Sequence, residues 1–482
     1  MRILTYIAFA ILLAGAGSCS SFLDPGAPKN QMPAALAFTD DKTATASVTG
    51  VLSRMNQLNY QFANVLSMIL PAMAADEFVY AVSSAPFDEF KDNAVSSANQ
   101  YVSTLWSQPY SYIAQANACI EGLEAATGLS PAVKSQLLGE ARFIRAFCYF
   151  YLVNYFGDVP LVQTTDISVS NTLGRAPAAE VYTAIIADLQ DAKERLGNGY
   201  PAGAAVDAGG ERIRANKAVA SALLARAYLY TEQWQAAAAE ATAVIGNSLY
   251  RLMDTEALDD VFKANSDETI WQLQAVNTAG GRNTWEGFLL IPATPTSSPL
   301  FRLVPGYLYD AFEAGDERFA SWVGSVTTST GAEHRYPYKY KARFGVTPVQ
   351  EYTMVLRLAE QYLIRAEAAL MQGRPEEAMV DINTIRRRAG LAELPADAGA
   401  YGGAGAFAAA AREALEQERR VELFGEWGHR WFDLRRWPSV TGDTNKTRAD
   451  DVLPALKNDW QSADIYLPLP DAATRTNPNL LK

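Results

Sequence analysis

The chain has 482 residues, 41 of them lysine or arginine and 53 aspartate or glutamate, for a formal charge of −12. Its 49% hydrophobic and 20% charged residues are an ordinary globular mixture, which excludes a disordered chain, a collagen and a multi-span membrane protein. So acidic a chain repels phosphate backbones and argues against a nucleic-acid partner. With histidine only at His334 and His429, a multi-histidine zinc site is excluded and a Ser-His-Asp triad has two possible bases.

Arg2 precedes an apolar run from Ile3 to Ala16. The run is shorter than the roughly 20 residues of a membrane span and fits a signal-peptide core. Ala16, Gly17 and Ser18 then lead to Cys19, a small-residue cleavage site followed by cysteine, which looks like a bacterial lipobox. Residues 1–18 are therefore expected to be a lipoprotein signal peptide. Cys19 is the expected acylation site, and residues 19–31, with Pro25, Gly26 and Pro28, the anchor and tether. Each acyl methylene buried contributes about 0.8 kcal/mol, so several chains on one cysteine hold firmly. Cys119 and Cys148 remain, both in apolar helical patterns, and are expected to be buried free thiols.

Helical periodicity dominates from Trp106 onward. Trp106, Tyr110, Ile113, Asn117 and Ile120 recur at three and four, on one helix face. Gly139 to Tyr155 repeats the pattern until Gly157 stops it, and Asp158-Val159-Pro160 begins an extended segment. Ala178 to Leu196 is a further amphipathic stretch. Ala225 and Ala237 have the same spacing as Ala366 and Ala378. Small residues so placed let paired helices approach closely, as in tetratricopeptide units. The two units lie too far apart for a tandem array, so the solenoid must be interrupted.

The interruption is expected over 247–348, which carries Gly280, Gly281, Pro292, Pro295, Pro299, Pro305 and strand-like runs such as Ile270 to Leu273. A second irregular region covers 75–100. A third, Ala396 to Phe407, reads as a glycine- and alanine-rich loop. Long loops on a rigid helical scaffold are where binding usually sits.

Four stretches stand out: Cys19-Ser-Ser-Phe-Leu-Asp24; Glu140-Ala-Arg-Phe-Ile-Arg-Ala146 leading to Tyr155-Phe-Gly-Asp-Val-Pro160; Arg357-Leu-Ala-Glu360 through Ile385-Arg-Arg-Arg-Ala-Gly390; and Glu418-Arg-Arg-Val-Glu-Leu-Phe-Gly-Glu-Trp-Gly-His-Arg430 followed by Trp431-Phe-Asp-Leu-Arg-Arg-Trp437. Together they resemble the SusD/RagB family of outer-membrane glycan-capture lipoproteins. The tail Tyr466-Leu-Pro-Leu-Pro470 also fits. The resemblance implies a mainly α fold: one SusD-like domain over 32–482, built on four tetratricopeptide-like helix pairs, with long irregular insertions and a few short strands. It implies an oligosaccharide ligand bound without catalysis. It also implies a SusC-like TonB-dependent transporter as partner and an outer-membrane, lipid-anchored location facing the exterior. Ser20 and Ser21 stand where many members carry acidic residues after the cysteine, and the first acid here is Asp24. No cofactor is expected, and the sequence leaves calcium open.

Glu418, Glu422 and Glu426 share one helical face, and paired carboxylates could suggest a glycoside hydrolase. Arg419, Arg420, Arg430, Arg435 and Arg436 crowd the same region, however. Carboxylates beside guanidinium groups stay ionised and make poor general acids, so a structural ion-pair network is expected. His429 is expected to be packed and His334 solvated. Gly402-Gly403-Ala-Gly405 lacks the Lys-Ser/Thr of a phosphate loop.

Aromatic residues in the irregular regions are the positive signal. Sugar rings have an apolar C–H face that stacks on an aromatic face, while their hydroxyls take hydrogen bonds at the rim. The candidate ligand residues are Trp285 and Tyr80, with Phe78, Asn283, Arg282 and Phe288 beside them. Peptide capture, a lipid-anchored hydrolase and a purely structural scaffold remain the alternatives.

Overall fold

A computed structural model describes residues 36–276 and 279–482. The expected signal peptide, Cys19 and the tether lie outside those residues. Eight helices form the scaffold: α1 (Gln100–Ala125), α2 (Pro131–Phe156), α3 (Ala178–Arg195), α4 (Lys217–Tyr230), α5 (Trp234–Ile245), α6 (Leu358–Met371), α7 (Pro375–Arg388) and α8 (Ala404–Glu422). Each packs on the next in chain order, the equivalent of four helix pairs in a row. The fold is mainly α, as the sequence implied. No described helix is long and apolar enough to cross a membrane.

Local chemistry sets the helix limits. Pro131 opens α2, where its missing N–H costs nothing. Gly157 ends α2 at φ +71°, a conformation that strains any L side chain. Asn216 caps α4 by accepting from the Val219 N–H at 2.9 Å. In α7, Glu376 and Glu377 lie in the first turn and Arg386, Arg387 and Arg388 in the last, matching the helix dipole. Ala225, Ala237, Ala366 and Ala378 are all fully buried, so the expected small-residue contacts between α4 and α5 and between α6 and α7 are present. Cys119 and Cys148 are buried free thiols, and burial pushes the Cys119 thiol up to about 11.

The irregular regions are more ordered than their composition suggested. Residues 75–100 hold strand β1 (Val79–Tyr80) and a helix over Ala85–Asp92. The long insertion holds β2 (Thr269–Leu273), β3 (Phe301–Arg302), β4 (Val323–Thr327) and β5 (Glu333–Pro337); β6 (Thr353–Arg357) follows it. β2 pairs antiparallel with β6 and β4 with β5. β1 pairs with β3, Tyr80 opposite Phe301, so the two insertions are stitched together. The glycine–alanine segment is a loop only to Gly403. Helix α8 starts at Ala404, because alanine at 404, 406 and 408–411 outweighs a single interior glycine at 405.

A buried ion network joins the long insertion to the scaffold. Glu422, on α8, is fully buried. It accepts from Arg318 of the insertion at 3.0 Å, from Arg357 at the end of β6 at 2.5 Å, and from Arg388 of α7. Arg318 also holds Asp316 at 2.8 Å and Glu418 at 2.8 Å. Arg357 reaches Glu268 at 2.9 Å and Glu426 at 2.7 Å. Lys339 reaches Glu426 at 2.5 Å, and Arg386 reaches Glu418 at 2.9 Å. Neighbouring guanidinium groups hold the Glu422 carboxyl far below the usual range despite its burial. Removing one partner leaves a buried charge uncompensated, which costs about 3–5 kcal/mol. Arg357→Met should therefore lower the unfolding free energy by that order in urea denaturation. A loss below about 1 kcal/mol would contradict the role given to the network.

Candidate functional site

The two stitched insertions carry two groups of aromatic rings. In the first, the Tyr80 ring lies 4.6 Å from Phe87 and 5.1 Å from Phe301. Phe87 stacks on Tyr101 at 4.8 Å and 19°. Tyr60 closes the group at 5.9 Å from Tyr101. Tyr60, Tyr80 and Tyr101 are half-buried, each with part of the ring in solvent. Burial pushes the Tyr60 phenol up to about 12.

In the second group, the Arg282 guanidinium lies over the Trp285 ring at 3.6 Å. The Phe288 ring stands edge-on to Trp285 at 6.0 Å and 87°. Phe344 lies 6.2 Å from Phe288, and the Arg343 guanidinium covers Phe288 at 4.7 Å. Phe344 is 54% exposed, whereas Trp285 retains 9% and Arg282 7%. Two Arg282 nitrogens (Nε and one terminal nitrogen) and the Trp285 Nε1 have no hydrogen-bond partner among the described residues.

Backbone chemistry positions this group. Thr284 caps the Trp285–Leu290 helix by accepting from the Gly287 N–H at 3.0 Å. The Asn283 amide donates to the Val346 carbonyl at 3.1 Å and accepts from the Gln350 and Glu351 N–H groups at 2.5 and 3.1 Å. Gly280 and Gly281 both adopt positive φ, and a Cβ on Gly280 would sit 2.1 Å from the Phe344 ring. Glycine is what lets that loop press against Phe344.

The two groups flank one irregular turn. The Trp285–Leu290 helix packs on residues Phe62–Leu66, a π-type turn with non-helical torsions at Ala63 and Asn64. Tyr60 precedes it at φ +53°, costly for a bulky residue. Asn64 holds the turn by donating to the Asn56 side chain at 3.1 Å and the Leu58 carbonyl at 2.8 Å. π-type bulges and strained torsions are frequent at functional sites.

Of the six residues singled out in the sequence, Arg282, Trp285 and Phe288 come together, and Tyr80 lies in the neighbouring group. Phe78 does not qualify: it is fully buried, its ring edge-on to Phe301 at 5.9 Å, because that position in the chain faces the core. Asn283 is fully buried too, and its amide is spent on backbone partners rather than left for ligand hydroxyls. Sequence reasoning missed Phe344, Arg343, Tyr60 and Tyr101. Phe344 had a local signal, since it precedes Gly345 in a polar turn; Tyr60 and Tyr101 lie outside the two segments and had none.

Glu286 lies beneath the second group, 2% exposed. The Thr353 hydroxyl donates to it at 2.9 Å, and the Asn56 amide donates to Thr353 at 3.3 Å. Burial pushes its carboxyl up to about 7, with the nearby Glu351 charge adding to the shift. Glu351, 3% exposed, accepts from the Lys341 and Ala342 N–H groups. His429 is buried, and desolvation holds its imidazole well below the ordinary value. His334 is half-buried on β5. Among the described residues no cluster of His, Cys, Asp and Glu could hold a metal ion.

A carboxyl raised by folding stabilises the protein fully below its unfolded value and loses that contribution as pH rises. For Glu286 the window runs from 4.5 to about 7. Each unit is about 1.4 kcal/mol, so the wild type should lose roughly 3 kcal/mol more than Glu286→Gln between those pH values. Denaturation curves at pH 4.5 and 7.5 measure the difference; parallel losses would show that folding does not raise the Glu286 carboxyl.

Residues 334–482 match the family described as "SusD family", and residues 21–229 match one described as "Starch-binding associating with outer membrane". The chain is similar to SusD-like protein P25 of Formosa agariphila, 24% identical over 100% of this chain and 98% of that one. It is also similar to a SusD-like protein of Bacteroides ovatus, 25% identical over 95% of this chain and 85% of that one. Among solved structures, a laminarin binding SusD-like protein aligns with TM-score 0.72 and 25% identity, covering 90% of this chain and 97% of that one. Surface glycan-binding protein A from Bacteroides uniformis aligns with TM-score 0.75 and 21% identity, covering 91% and 98%.

Proposed function

Because the chain belongs to the SusD/RagB family, we propose that it captures oligosaccharides without catalysis at the outer membrane and passes them to a SusC-like TonB-dependent transporter. Acylation at Cys19 would tether it, with the aromatic surface facing the exterior. The observation that carries this reading is the group Arg282, Trp285, Phe288 and Phe344: flat rings beside a guanidinium, with Phe344 54% exposed. Phe344 and the half-buried Phe288 offer apolar ring surface to the C–H side of a sugar, with Arg282 held over the Trp285 ring beside them. Tyr80, Tyr60 and Tyr101 extend the surface across the strained turn.

Neutral sugars suit an acidic protein, because neither partner has to shed a repelling charge. The laminarin-binding relative and the starch-binding family description favour a glucan. Non-catalytic binding is supported by the state of the carboxylates. Glu286 and Glu351 are sealed from solvent, and Glu418, Glu422 and Glu426 are engaged by arginine or lysine. A glycosidase needs two carboxyl groups open to the scissile bond and to water.

The test is affinity electrophoresis through gels containing laminarin or starch. The protein should be retarded by one of them. Phe288→Ala combined with Phe344→Ala should weaken binding about tenfold or more, since tenfold corresponds to about 1.4 kcal/mol and ring contacts reach that size. Both rings are partly exposed, so the melting temperature should shift by only a few degrees. Unchanged retardation in that variant would sink the platform. Separately, cells fed labelled palmitate should label the wild type and not Cys19→Ala; equal labelling would remove Cys19 as the anchor.

A further inference from the structure

On the far side of α1 from the tyrosine group lies a cavity of 740 Å³, separate from both aromatic groups. It is bounded by α1, by residues 160–171 and by residues 470–480. Its size is in the range of small-molecule sites, about 300–1,000 Å³. We infer that it is a second binding site for a neutral saccharide, recognised by the half-buried Tyr110, which the buried Trp106 backs, together with the Ser103, Ser107, Ser170 and Asn171 side chains.

The lining is the first argument. All fifteen lining residues are uncharged, in a chain that is 20% charged. By contrast, the cavity between α4, α6 and α8 is edged by Glu232, Glu367, Arg412, Arg436 and Arg448. A charged ligand in the neutral cavity would lose water with no counter-ion to replace it. A purely apolar ligand would leave polar side chains uncovered. The Ser103 and Ser170 side chains are half-exposed and those of Ser107 and Asn171 exposed, so their polar groups face the cavity's solvent. They are free to meet sugar hydroxyls.

Geometry is the second argument. Ser103, Ser107, Tyr110 and Ala114 recur at four, three and four, so one stripe of α1 forms the floor. Small side chains at 103, 107 and 114 keep the stripe open. The Trp106 ring is held edge-on against Phe156 at 5.0 Å and 89°, and lies 5.1 Å from Tyr110. The Tyr110 hydroxyl donates to the Pro160 carbonyl at 2.9 Å. The C-terminal wall is pinned by Asn477 donating to the Leu173 carbonyl at 2.8 Å and Asn479 donating to the Thr172 carbonyl at 2.9 Å. The site is thus preformed, and little ordering entropy is lost on binding. Tyr101 of the first group lies two residues before Ser103, about 200° away around the helix. The two sites can therefore fill independently.

Hydrogen–deuterium exchange of the full chain tests this with laminarihexaose, maltohexaose and, as a charged control, hexagalacturonate. At least one neutral hexasaccharide should slow exchange in 160–171 and 470–480 about tenfold. The slowing should survive Phe288→Ala/Phe344→Ala and vanish in Ser107→Arg, which fills the cavity from an exposed position on α1. Ala114→Arg, exposed on the same stripe, is the second block should Ser107→Arg melt early. No slowing with either neutral sugar overturns the inference, as does equal slowing by hexagalacturonate or slowing that persists in both arginine variants. Protection at 282–288 without protection at 470–480 would leave the aromatic platform standing and this site refuted.

Discussion

The Glu422 carboxylate is where the architecture closes. Three arginines reach it from three segments far apart in sequence: Arg318 from the long insertion, Arg357 from the end of β6, and Arg388 from α7. A fully buried carboxylate is tolerable only when its charge is balanced and its lone pairs are occupied. It can be so only when the insertion, the strand pair β2–β6 and the last scaffold helices are all in their native places. Lys339 adds a second tie, donating to the Glu422 carbonyl at 2.8 Å while sitting over the Phe424 ring at 4.1 Å. Burial brings this ammonium down to about 8, so it too depends on its partners to stay charged. Such a network contributes less net stability than hydrophobic residues could. What it supplies here is a fixed seat for a long insertion that has little regular structure of its own.

The scaffold was legible in the sequence because it is built from local signals. The three-and-four recurrence from Trp106 to Ile120 lies on α1, Gly157 ends α2, and the paired alanines at 225 and 237 and at 366 and 378 lie where helices touch. That Glu418, Glu422 and Glu426 would be held in an ion-pair network was legible, but not by which partners: Arg419, Arg420, Arg430 and Arg436, their neighbours in sequence, serve Asp433, Asp76 and Glu367, and the carboxylates are met instead by Arg318, Arg357, Arg386, Arg388 and Lys339 from remote segments. The site was only half legible. Trp285 and Phe288 could be read as loop aromatics beside a turn signal. Phe78 could not be told apart from them, because which way a ring just before a short strand faces depends on where that strand pairs, here with β3, over 200 residues away. Asn283 misled for a related reason. Its neighbours in sequence are polar, but its amide serves the backbone of residues 346–351. Phe344 joined the group only through contact with the Gly280 loop and Phe288, both remote in sequence.

Rigidity below the rings connects scaffold to surface. The Phe62–Leu66 turn holds torsions that cost free energy, and Tyr60 adds a positive φ. These conformations persist because Asn56, Gln61 and Asn64 bind one another and the flanking backbone: Asn64 to Asn56, Gln61 to the Arg54 carbonyl at 2.9 Å, and Asn56 to the Leu273 carbonyl at 3.1 Å. The last bond reaches β2, which pairs with β6, which ends at Arg357 of the ion network. A continuous chain of hydrogen bonds and ion pairs therefore runs from Glu422 to the turn that separates the two aromatic groups. A surface so fixed spends little conformational entropy when a ligand arrives.

Charge is distributed to the same end. The chain carries many more ionisable groups than its interior could hold unpaired, yet the rings proposed to meet a ligand sit among guanidinium groups that already lie over them, Arg282 on Trp285 and Arg343 on Phe288. A cation held over a ring face is partly satisfied by the ring quadrupole and still has N–H edges to offer. The acids nearest these rings, Glu286 and Glu351, are buried below the surface, and folding favours their neutral forms. The exposed part of the surface is therefore chiefly apolar ring, Phe344 above all, with negative charge withdrawn beneath it. That is the complement of a polyhydroxyl molecule with no charge of its own, and it is a poor complement to a polyanion, which the −12 of the whole chain repels at longer range.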